Sequence, residues 1–296
     1  MGRSATSLFV RLAPILFVGL WATGFVGAKY GMRGAEPFTF LAIRFALTFL
    51  ILLPFVVFLF GEELRKRDQL LHSFFAGCLL HGVYLGGVFY AIDRGLAAGL
   101  SSLLVSLQPF CTVFFSYWLL SEKAGPGKLA FFALSLAGAA LVLLPGADTK
   151  NLESGISIET IAACGAGVIA ISLGAVYQKR HVTDLNLLVS TFAQFAGGAV
   201  TVAIMALLTE SGEIQWLPEV VFSMIWLVFV LSIGAVVLLM VLIRRGSSNS
   251  VATLFYLVPV VSMFMTWVLF DERLVAMQWL GAAMVVAGVA FASRVK

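Results

Sequence analysis

Eight polar or aromatic side chains stand inside long apolar runs of this sequence, and the chemistry they offer is noncovalent binding. They are Trp21, Arg44, His81, Tyr84, Ser106, Gln108, Ser232 and Tyr256. Together they supply a cation, hydrogen-bond donors and acceptors, and rings that stack on an aromatic or cationic ligand. Each also has a structural interpretation, because buried polar groups bond between helices and aromatic rings pack.

The positions of His81 and Arg44 in the sequence give further information about their roles. His81 and Tyr84 are three residues apart, so a helix presents them on one face. Arg44 is the one charge well inside an apolar run. It either attracts an anionic group or extends its guanidinium to the membrane surface, about 7 residues away along the helix.

The sequence shows no pattern for catalysis or for a metal centre. Acidic residues are scattered at the ends of the apolar runs, and no His or Cys spacing fits a metal. Three cysteines, Cys78, Cys111 and Cys164, lie within apolar runs and indicate no disulfide framework. We therefore expect neither an enzyme nor a bound metal or cofactor.

The elements that must position these side chains are membrane-spanning helices. Of 296 residues, 61% are hydrophobic and 11% are charged, and the mean hydropathy is +1.03; soluble domains carry about 25% charged residues. Breaks at charge and turn clusters predict an all-α integral membrane fold with ten spans of about 20 residues. The spans are 8–30, 37–60, 70–93, 97–120, 127–146, 156–179, 185–208, 216–243, 249–270 and 274–293.

The distribution of positive charge predicts the orientation. With the N-terminus in the cytoplasm, thirteen Lys and Arg residues fall on the inner side and five on the outer side, as the positive-inside rule requires. Both termini are then cytoplasmic. The net charge of +4 has the same origin, so it does not indicate a nucleic-acid partner.

The second half of the chain repeats the first with a displacement of 150 residues. LQPFCTVFFSYWLLSEK, beginning at Leu107, aligns with LVPVVSMFMTWVLFDER, beginning at Leu257. The same displacement pairs Gly24 with Gly174, Lys29 with Lys179, Phe45 with Phe195, Arg94 with Arg244, and Gly138 with Gly288. Five spans per half is an odd number, so the second half crosses the membrane in the opposite sense. We predict two inverted five-helix repeats, 1–150 and 151–296.

A proline stands at corresponding positions of spans 4 and 9. Pro109 and Pro259 each remove a backbone donor, and in a continuous helix the ring of Pro109 clashes with the carbonyl of Val105. A membrane helix tolerates such a break where protein or a wet cavity satisfies the freed groups. The two prolines are therefore predicted to be paired hinges, with static kinks as the alternative.

The ten spans, the duplication and the repeated proline-to-glutamate spacing resemble the drug/metabolite transporter superfamily, EamA type. That spacing runs from Pro109 to Glu122 and from Pro259 to Glu272. The resemblance covers essentially the whole chain. Within the superfamily the chain looks like the YddG-type bacterial exporters of aromatic amino acids.

The resemblance implies export of amino acids, aromatic or hydrophobic, and of related metabolites across a bacterial inner membrane by alternating access. It implies a central cavity lined by spans 1, 3, 4, 6, 8 and 9, with spans 5 and 10 peripheral. The eight candidates then become substrate-binding residues, and Glu122 and Glu272 become interface anchors or gate pairs. Proton coupling through His81 and facilitated export both stay open, because no acidic residue lies near the centre of a span.

Three alternatives remain at this point. A different branch of the superfamily would carry sugars, purines or drugs. An intramembrane lipid-modifying enzyme would need clustered carboxylates or histidines, and a channel would need a continuous polar stripe. The expected partners are a small-molecule substrate and the lipid bilayer, and the sequence leaves monomer and homodimer open.

Overall fold

The computed structural model describes residues 2–122, 125–143, 155–235, 238 and 257–292. These residues form ten helices, one for each predicted span. They are α1 (Gly2–Gly31), α2 (Pro37–Phe60), α3 (Arg67–Asp93), α4 (Ala98–Leu120), α5 (Pro126–Leu143), α6 (Ile158–His181), α7 (Leu187–Thr209), α8 (Pro218–Ile225 continued by Trp226–Ala235), α9 (Val258–Phe270) and α10 (Ala276–Ala292). The predicted repeat boundary at 150/151, most of the connection between α8 and α9, and Tyr256 lie outside the described residues.

The surface of these helices is apolar, as a lipid environment requires. Five helices, α2, α3, α4, α6 and α7, are long and apolar enough to cross a membrane, with mean hydropathies of 1.6 to 2.5 over their most apolar windows. Large apolar side chains project outward from the bundle: Phe58 is 85% exposed and Leu207 is 86% exposed. An exposed apolar surface of this extent is typical of a protein whose solvent is hydrocarbon. The fold is an all-α integral membrane protein.

Polar contacts at the helix termini establish the direction of the helices. Glu272, which follows α9, accepts a hydrogen bond from Lys29 near the end of α1 and another from the backbone N–H of Ala98 at the start of α4. Where α4 finishes, Glu122 pairs with Lys179 near the end of α6. Since α4 runs between the two contacts, they lie at opposite ends of the bundle, here called the Lys29 end and the Lys179 end. Corresponding residues therefore lie at opposite ends, and the two repeats are inverted.

Both α4 and α9 end in the same backbone conformation. Among the described non-glycine residues, Ser121 and Asp271 have positive φ angles, 57° and 54°. Each is followed by a glutamate whose N–H donates to a carbonyl six residues earlier, at 3.3 and 3.4 Å. This left-handed cap satisfies a carbonyl of the last helical turn. It also directs the glutamate side chain toward the neighbouring helix in both repeats.

Two pairs of corresponding residues contact each other and so locate the axis that relates the repeats. The ring centroids of Phe45 in α2 and Phe195 in α7 are 5.9 Å apart. Ser135 Oγ in α5 lies 3.4 Å from the carbonyl oxygen of Val285 in α10. A residue that touches its own counterpart lies on a two-fold axis. The pseudo-two-fold axis therefore passes between α2 and α7 and between α5 and α10.

The helices α5 and α10 pack mainly against each other along a seam of glycines. A Cβ atom added to Gly138 would lie 2.6 Å from the carbonyl oxygen of Gly281. At Gly288 it would lie 2.3 Å from Ser135 Oγ. Small residues at a helix interface let the backbones approach closely, which is how helices associate where hydrophobic exclusion from water is absent.

We expect Gly138→Ala to lower the stability of the protein, because the new methyl group meets backbone that cannot rotate away. Overpacking of this kind costs about 1–3 kcal/mol. Gly165→Ala in α6 is the matched control: its Cβ would meet nothing within 4 Å, and alanine stabilises a helix by up to about 1 kcal/mol relative to glycine. Thermal unfolding in detergent measures both. A Gly138→Ala variant that melts at or above the wild-type temperature would contradict the tight seam.

Candidate functional site

The helices that carry His81 and Ser232 widen into π-helical segments around those residues. The segment in α3 spans Cys78–Val83 and the segment in α8 spans Trp226–Ala235. A displacement of 150 places the first inside the second, so the two segments correspond. A π-helical segment shifts the hydrogen-bond ladder by one residue and occurs frequently at functional sites. The same local distortion thus presents a predicted site residue in each repeat.

Arg44 is buried next to one of these segments. Only 4% of the residue is exposed. Its Nε and Nη2 atoms lie 3.3 and 3.1 Å from Ser232 Oγ, and the guanidinium carbon lies 5.5 Å from the centre of the Phe45 ring. The guanidinium therefore faces the interior between α2 and α8. It does not extend to the membrane surface, which was the alternative for this residue.

His81 contacts both rings of the pair formed by Phe45 and Phe195. Its ring stacks on Phe195 with centroids 4.7 Å apart and planes at 13°, and it lies 5.8 Å from the Phe45 ring. Among the described atoms, its Nε2 is buried and has no hydrogen-bond partner. Tyr84, three residues further along α3, is buried as well.

Three of the eight predicted residues, Arg44, His81 and Ser232, thus lie around the point where the axis passes between α2 and α7, and the buried Tyr84 follows His81 by three residues on α3. We call these four residues, with the rings of Phe45 and Phe195, the axial cluster. It combines a cation, a hydroxyl, an imidazole nitrogen without a partner, and aromatic faces. These groups are chemically suited to a small molecule that has both a charged group and an apolar or aromatic body.

Gln194 lies beside the axial cluster and was not among the predicted residues. It is 5% exposed, and its Nε2 donates to Ser190 Oγ at 3.0 Å. Ser190 in turn lies 3.0 Å from Ser73 Oγ in α3. The displacement of 150 places Arg44 on Gln194, so the repeat itself carried the signal that would have found this residue.

The remaining candidates lie elsewhere or have local partners. Trp21 is half-buried in α1 and packs against Phe17, with centroids 5.3 Å apart. The Ser106 hydroxyl donates to the carbonyl of Leu103 at 2.6 Å, within its own helix. The carbonyl of Gln108 accepts a hydrogen bond from Ser172 of α6 at 3.0 Å. Tyr256 belongs to the part of the chain that the structure leaves undescribed.

Helix α4 is interrupted immediately before Pro109. Its first segment ends at Val105, residues 106–107 form a turn, and the second segment spans Gln108–Leu120. Pro109 lies in the first turn of that segment, where an N–H has no intrahelical acceptor and proline costs little. The clash expected in a continuous helix is therefore absent. Pro259 occupies the same position at the start of α9.

For the transport that the resemblance implies, we predict that Pro109→Ala and Pro259→Ala each lower the rate while substrate binding is retained. Alanine restores the N–H and allows a helix to continue through the break, which stiffens it. Pro54→Ala is the matched control, because Pro54 lies within α2 on an exposed face. Transport rates in proteoliposomes and ligand-induced shifts in melting temperature measure the two effects. Unchanged rates in both variants would leave static kinks as the interpretation.

Corresponding ion pairs close the two ends of the bundle to different extents. At the Lys29 end, Lys29 Nζ lies 2.6 Å from Glu272 Oε1, with 32% and 10% of the side chains exposed. Glu272 also accepts the backbone N–H groups of Ala98 and Gly99, both at 3.1 Å. The carboxylate therefore joins α1, the start of α4 and the end of α9 in one buried contact.

At the Lys179 end, the corresponding pair is open to its surroundings. Lys179 Nζ lies 2.7 Å from Glu122 Oε1, but 62% and 51% of the side chains are exposed. Arg180 adds a hydrogen bond of 2.8 Å to the carbonyl of Leu119. Residues 248 and 249, the counterparts of Ala98 and Gly99, are outside the described part of the chain. The same ion pair thus occurs in both repeats, and it is part-buried at the Lys29 end and exposed at the Lys179 end.

The Lys29 end is also held together through its loops. Glu36 accepts the backbone N–H groups of Ser211, Gly212 and Glu213 at 2.8 to 3.1 Å. The hydrogen bond from the Ser211 N–H is the main reason that the pKa of Glu36 falls below its usual value. In return, Glu210 accepts the first N–H groups of α2. These contacts fix α2 against α7 at this end.

Comparison with known proteins decides the family. The model of the EamA-like transporter family matches the chain twice, over residues 9–144 and 159–294. The chain belongs to the EamA-like transporter family. The two matches are displaced by 150 residues, the displacement that aligns the two proline segments.

Relatives of this EamA-like chain cover nearly its whole length. A probable amino-acid metabolite efflux pump of Escherichia coli (strain K12) is 25% identical over 93% of this chain and 91% of the relative. A pump of the same description from Salmonella typhimurium is also 25% identical, over 93% and 91%. An uncharacterized transporter of Archaeoglobus fulgidus is 26% identical over 97% and 96%.

A solved crystal structure has the same fold. It superimposes with a TM-score of 0.62 over 95% of both chains, at 21% sequence identity. The family and its relatives are described as transporters, so the EamA-like chain is a multi-pass membrane transporter, and the axial cluster and the two end contacts are interpreted in that setting.

Proposed function

We propose that the protein is a secondary transporter that exports amino acids, aromatic or hydrophobic, and related small metabolites by alternating access. The observation that carries the proposal is the unequal burial of two corresponding ion pairs. Glu272 is 10% exposed at the Lys29 end, whereas Glu122 is 51% exposed at the Lys179 end.

The inverted repeats explain how the difference in exposure between the two ion pairs relates to alternating access. If the two repeats exchange their local conformations, the contact now buried at the Lys29 end forms at the Lys179 end. The two resulting states have similar energies, because each repeat adopts a conformation that the other already has. Under the predicted orientation the Lys29 end faces outward, so the observed state is closed on the outside.

The position of the axial cluster fits such a cycle. A site on the pseudo-two-fold axis is equally far from both ends, as substrate sites of inverted-repeat transporters are. The amino-acid part of the proposal is supported by the two relatives described as amino-acid metabolite efflux pumps. A cationic drug is disfavoured as substrate, because Arg44 supplies a positive charge and the helix interiors carry no acidic residue.

Counterflow in proteoliposomes tests the proposed function. Vesicles loaded with unlabelled amino acid should accumulate labelled phenylalanine, tyrosine or leucine, and vesicles without protein should not. The direct comparison is a panel of a sugar, a purine nucleoside and an organic cation under the same conditions. Exchange of one of these with none of the amino acids would refute the substrate assignment and favour another branch of the superfamily.

The end contacts give a second prediction. Glu272→Gln removes the ion pair with Lys29 and the charge on the side chain that accepts the N–H groups of Ala98 and Gly99. The variant should therefore open the Lys29 end. Hydrogen bonds to charged groups contribute about 1.5–3 kcal/mol each, so accessibility should rise at least about tenfold. Glu122→Gln is the matched control; its pair is exposed, and exposed pairs contribute up to about 1 kcal/mol, a change below about fivefold.

A single cysteine reports the opening. Ser262→Cys places a thiol of nearly the same size in α9 at a site that is 0% exposed, in a background without the three native cysteines. The rate of its reaction with a membrane-impermeant maleimide is measured in intact cells. Equal rates in the Glu272→Gln and Glu122→Gln variants would contradict unequal closure of the two ends.

A further inference from the structure

Arg44 is a buried charge without a counter-ion. Its partner within hydrogen-bond distance is the hydroxyl of Ser232, and among the described residues no carboxylate lies within ion-pair distance of it. Arginine keeps its charge in proteins. A buried charge is costly unless it is paired and hydrogen-bonded, and inside a membrane such a residue usually marks a functional pathway.

The rest of the sequence offers no acid to neutralise it. Every Asp and Glu of the ten helices lies at a helix end, and the segment 236–256, of which the structure describes residue 238, contains neither. The two acidic residues that the structure leaves undescribed, Asp148 and Glu153, belong to the connection between α5 and α6. The counter-ion of Arg44 therefore has to come from outside the chain.

The surroundings of Arg44 show what kind of anion fits. A guanidinium has five N–H donors in a planar fork, and those on Nε and one terminal nitrogen point to Ser232. The two terminal nitrogens keep further N–H donors that form the other edge of the fork, and a carboxylate matches that edge with two parallel hydrogen bonds. The Ser232 hydroxyl, which accepts from Arg44, can donate its own proton to the same carboxylate. The neighbouring rings of Phe45, Phe195 and His81 form an aromatic surface that can contact the apolar part of the bound molecule.

We propose that Arg44, assisted by Ser232, binds the carboxylate of the transported molecule. This inference rests on the proposed function and narrows it: the substrates are organic carboxylates, including zwitterionic amino acids. Amines, amides and neutral sugars lack the group that neutralises Arg44, and binding them leaves the guanidinium unpaired. Because Arg44 lies beside the axis, it can bind the carboxylate in both conformations, whether the Lys29 end or the Lys179 end is open.

Four compounds with one phenyl ring test the substrate class on the wild-type protein. L-phenylalanine has a carboxylate and an ammonium group, 3-phenylpropanoate has the carboxylate alone, phenethylamine has the ammonium group alone, and L-phenylalaninamide has the ammonium group with a neutral amide in place of the carboxylate. We expect the two carboxylates to compete for counterflow of labelled phenylalanine and to raise the melting temperature, and the amide and the amine to do neither. Equal competition by all four overturns the inference.

Variants locate the anion site. Arg44→Gln should raise the half-saturating concentration of the carboxylates at least about tenfold, the loss of one charge-assisted contact. Arg44→Lys keeps the charge without the fork and should retain part of the affinity. Ser232→Ala should give a smaller loss. Arg67→Gln, which removes an exposed charge at the start of α3, is the control and should match the wild type.

The outcomes separate this inference from the proposed function. Exchange of amino acids with unchanged affinity in Arg44→Gln leaves export standing and refutes the anion site. If no amino acid is exchanged, the proposed amino-acid export is refuted, and the melting temperatures test the anion site separately. The anion site is supported if carboxylates raise the melting temperature and Arg44→Lys weakens that rise. It is refuted if no carboxylate raises the melting temperature. If Arg44→Gln fails to fold, Arg44→Lys, Ser232→Ala and the four compounds give the same decision.

Discussion

A helix inside a bilayer has no water with which to satisfy polar groups, so every polar side chain there needs a partner within the bundle. This constraint accounts for the placement of charge in the protein. Glu272 sits at a helix end, where one lysine and two backbone N–H groups share its carboxylate. Among the described residues, the buried Nε2 of His81 and the buried Oγ of Ser262 in α9 have no hydrogen-bond partner, and Arg44 has no carboxylate within ion-pair distance. Arg44 and His81 lie together, next to the axis between the repeats.

The duplication supplies each structural device twice. The left-handed caps, the π-helical segments, the prolines and the lysine–glutamate pairs all recur 150 residues apart. Identical devices in opposite orientations would make the two ends of the bundle equivalent. The two ends differ in two respects. The Lys29–Glu272 pair is less exposed than the Lys179–Glu122 pair. In addition, the position equivalent to Arg44 in the second repeat holds Gln194. The first difference describes a conformation, whereas the second is built into the sequence and is the same in every conformation.

Much of the fold could be predicted from the sequence, because the hydropathy and charge of each segment depend directly on whether it lies in lipid or in water. Long uncharged runs gave the ten spans, and the displacement of 150 residues gave the inverted repeats. The candidate site was predicted less completely. Arg44, His81, Tyr84 and Ser232 stood out as polar groups in apolar runs, but nothing in a one-dimensional pattern brings α2, α3 and α8 together. The π-helical segments were not predicted, because neither hydropathy nor residue spacing marks them in a sequence. The break before Pro109 was expected at the proline itself, because local rules treat the helix as continuous up to that residue.

The contact between Ser135 and Val285 has a consequence for how the energy of the molecule is divided. In the proposed alternating-access cycle, a point on the two-fold axis is carried onto itself when the repeats exchange conformations, so the α5–α10 seam would keep the same neighbours in both states. It would then contribute equally to the free energies of both states and leave their ratio unchanged. Off-axis contacts such as Lys29–Glu272 contribute to one state alone. Stability and conformational equilibrium are thus assigned to different helices, and sequence change in one can proceed without disturbing the other.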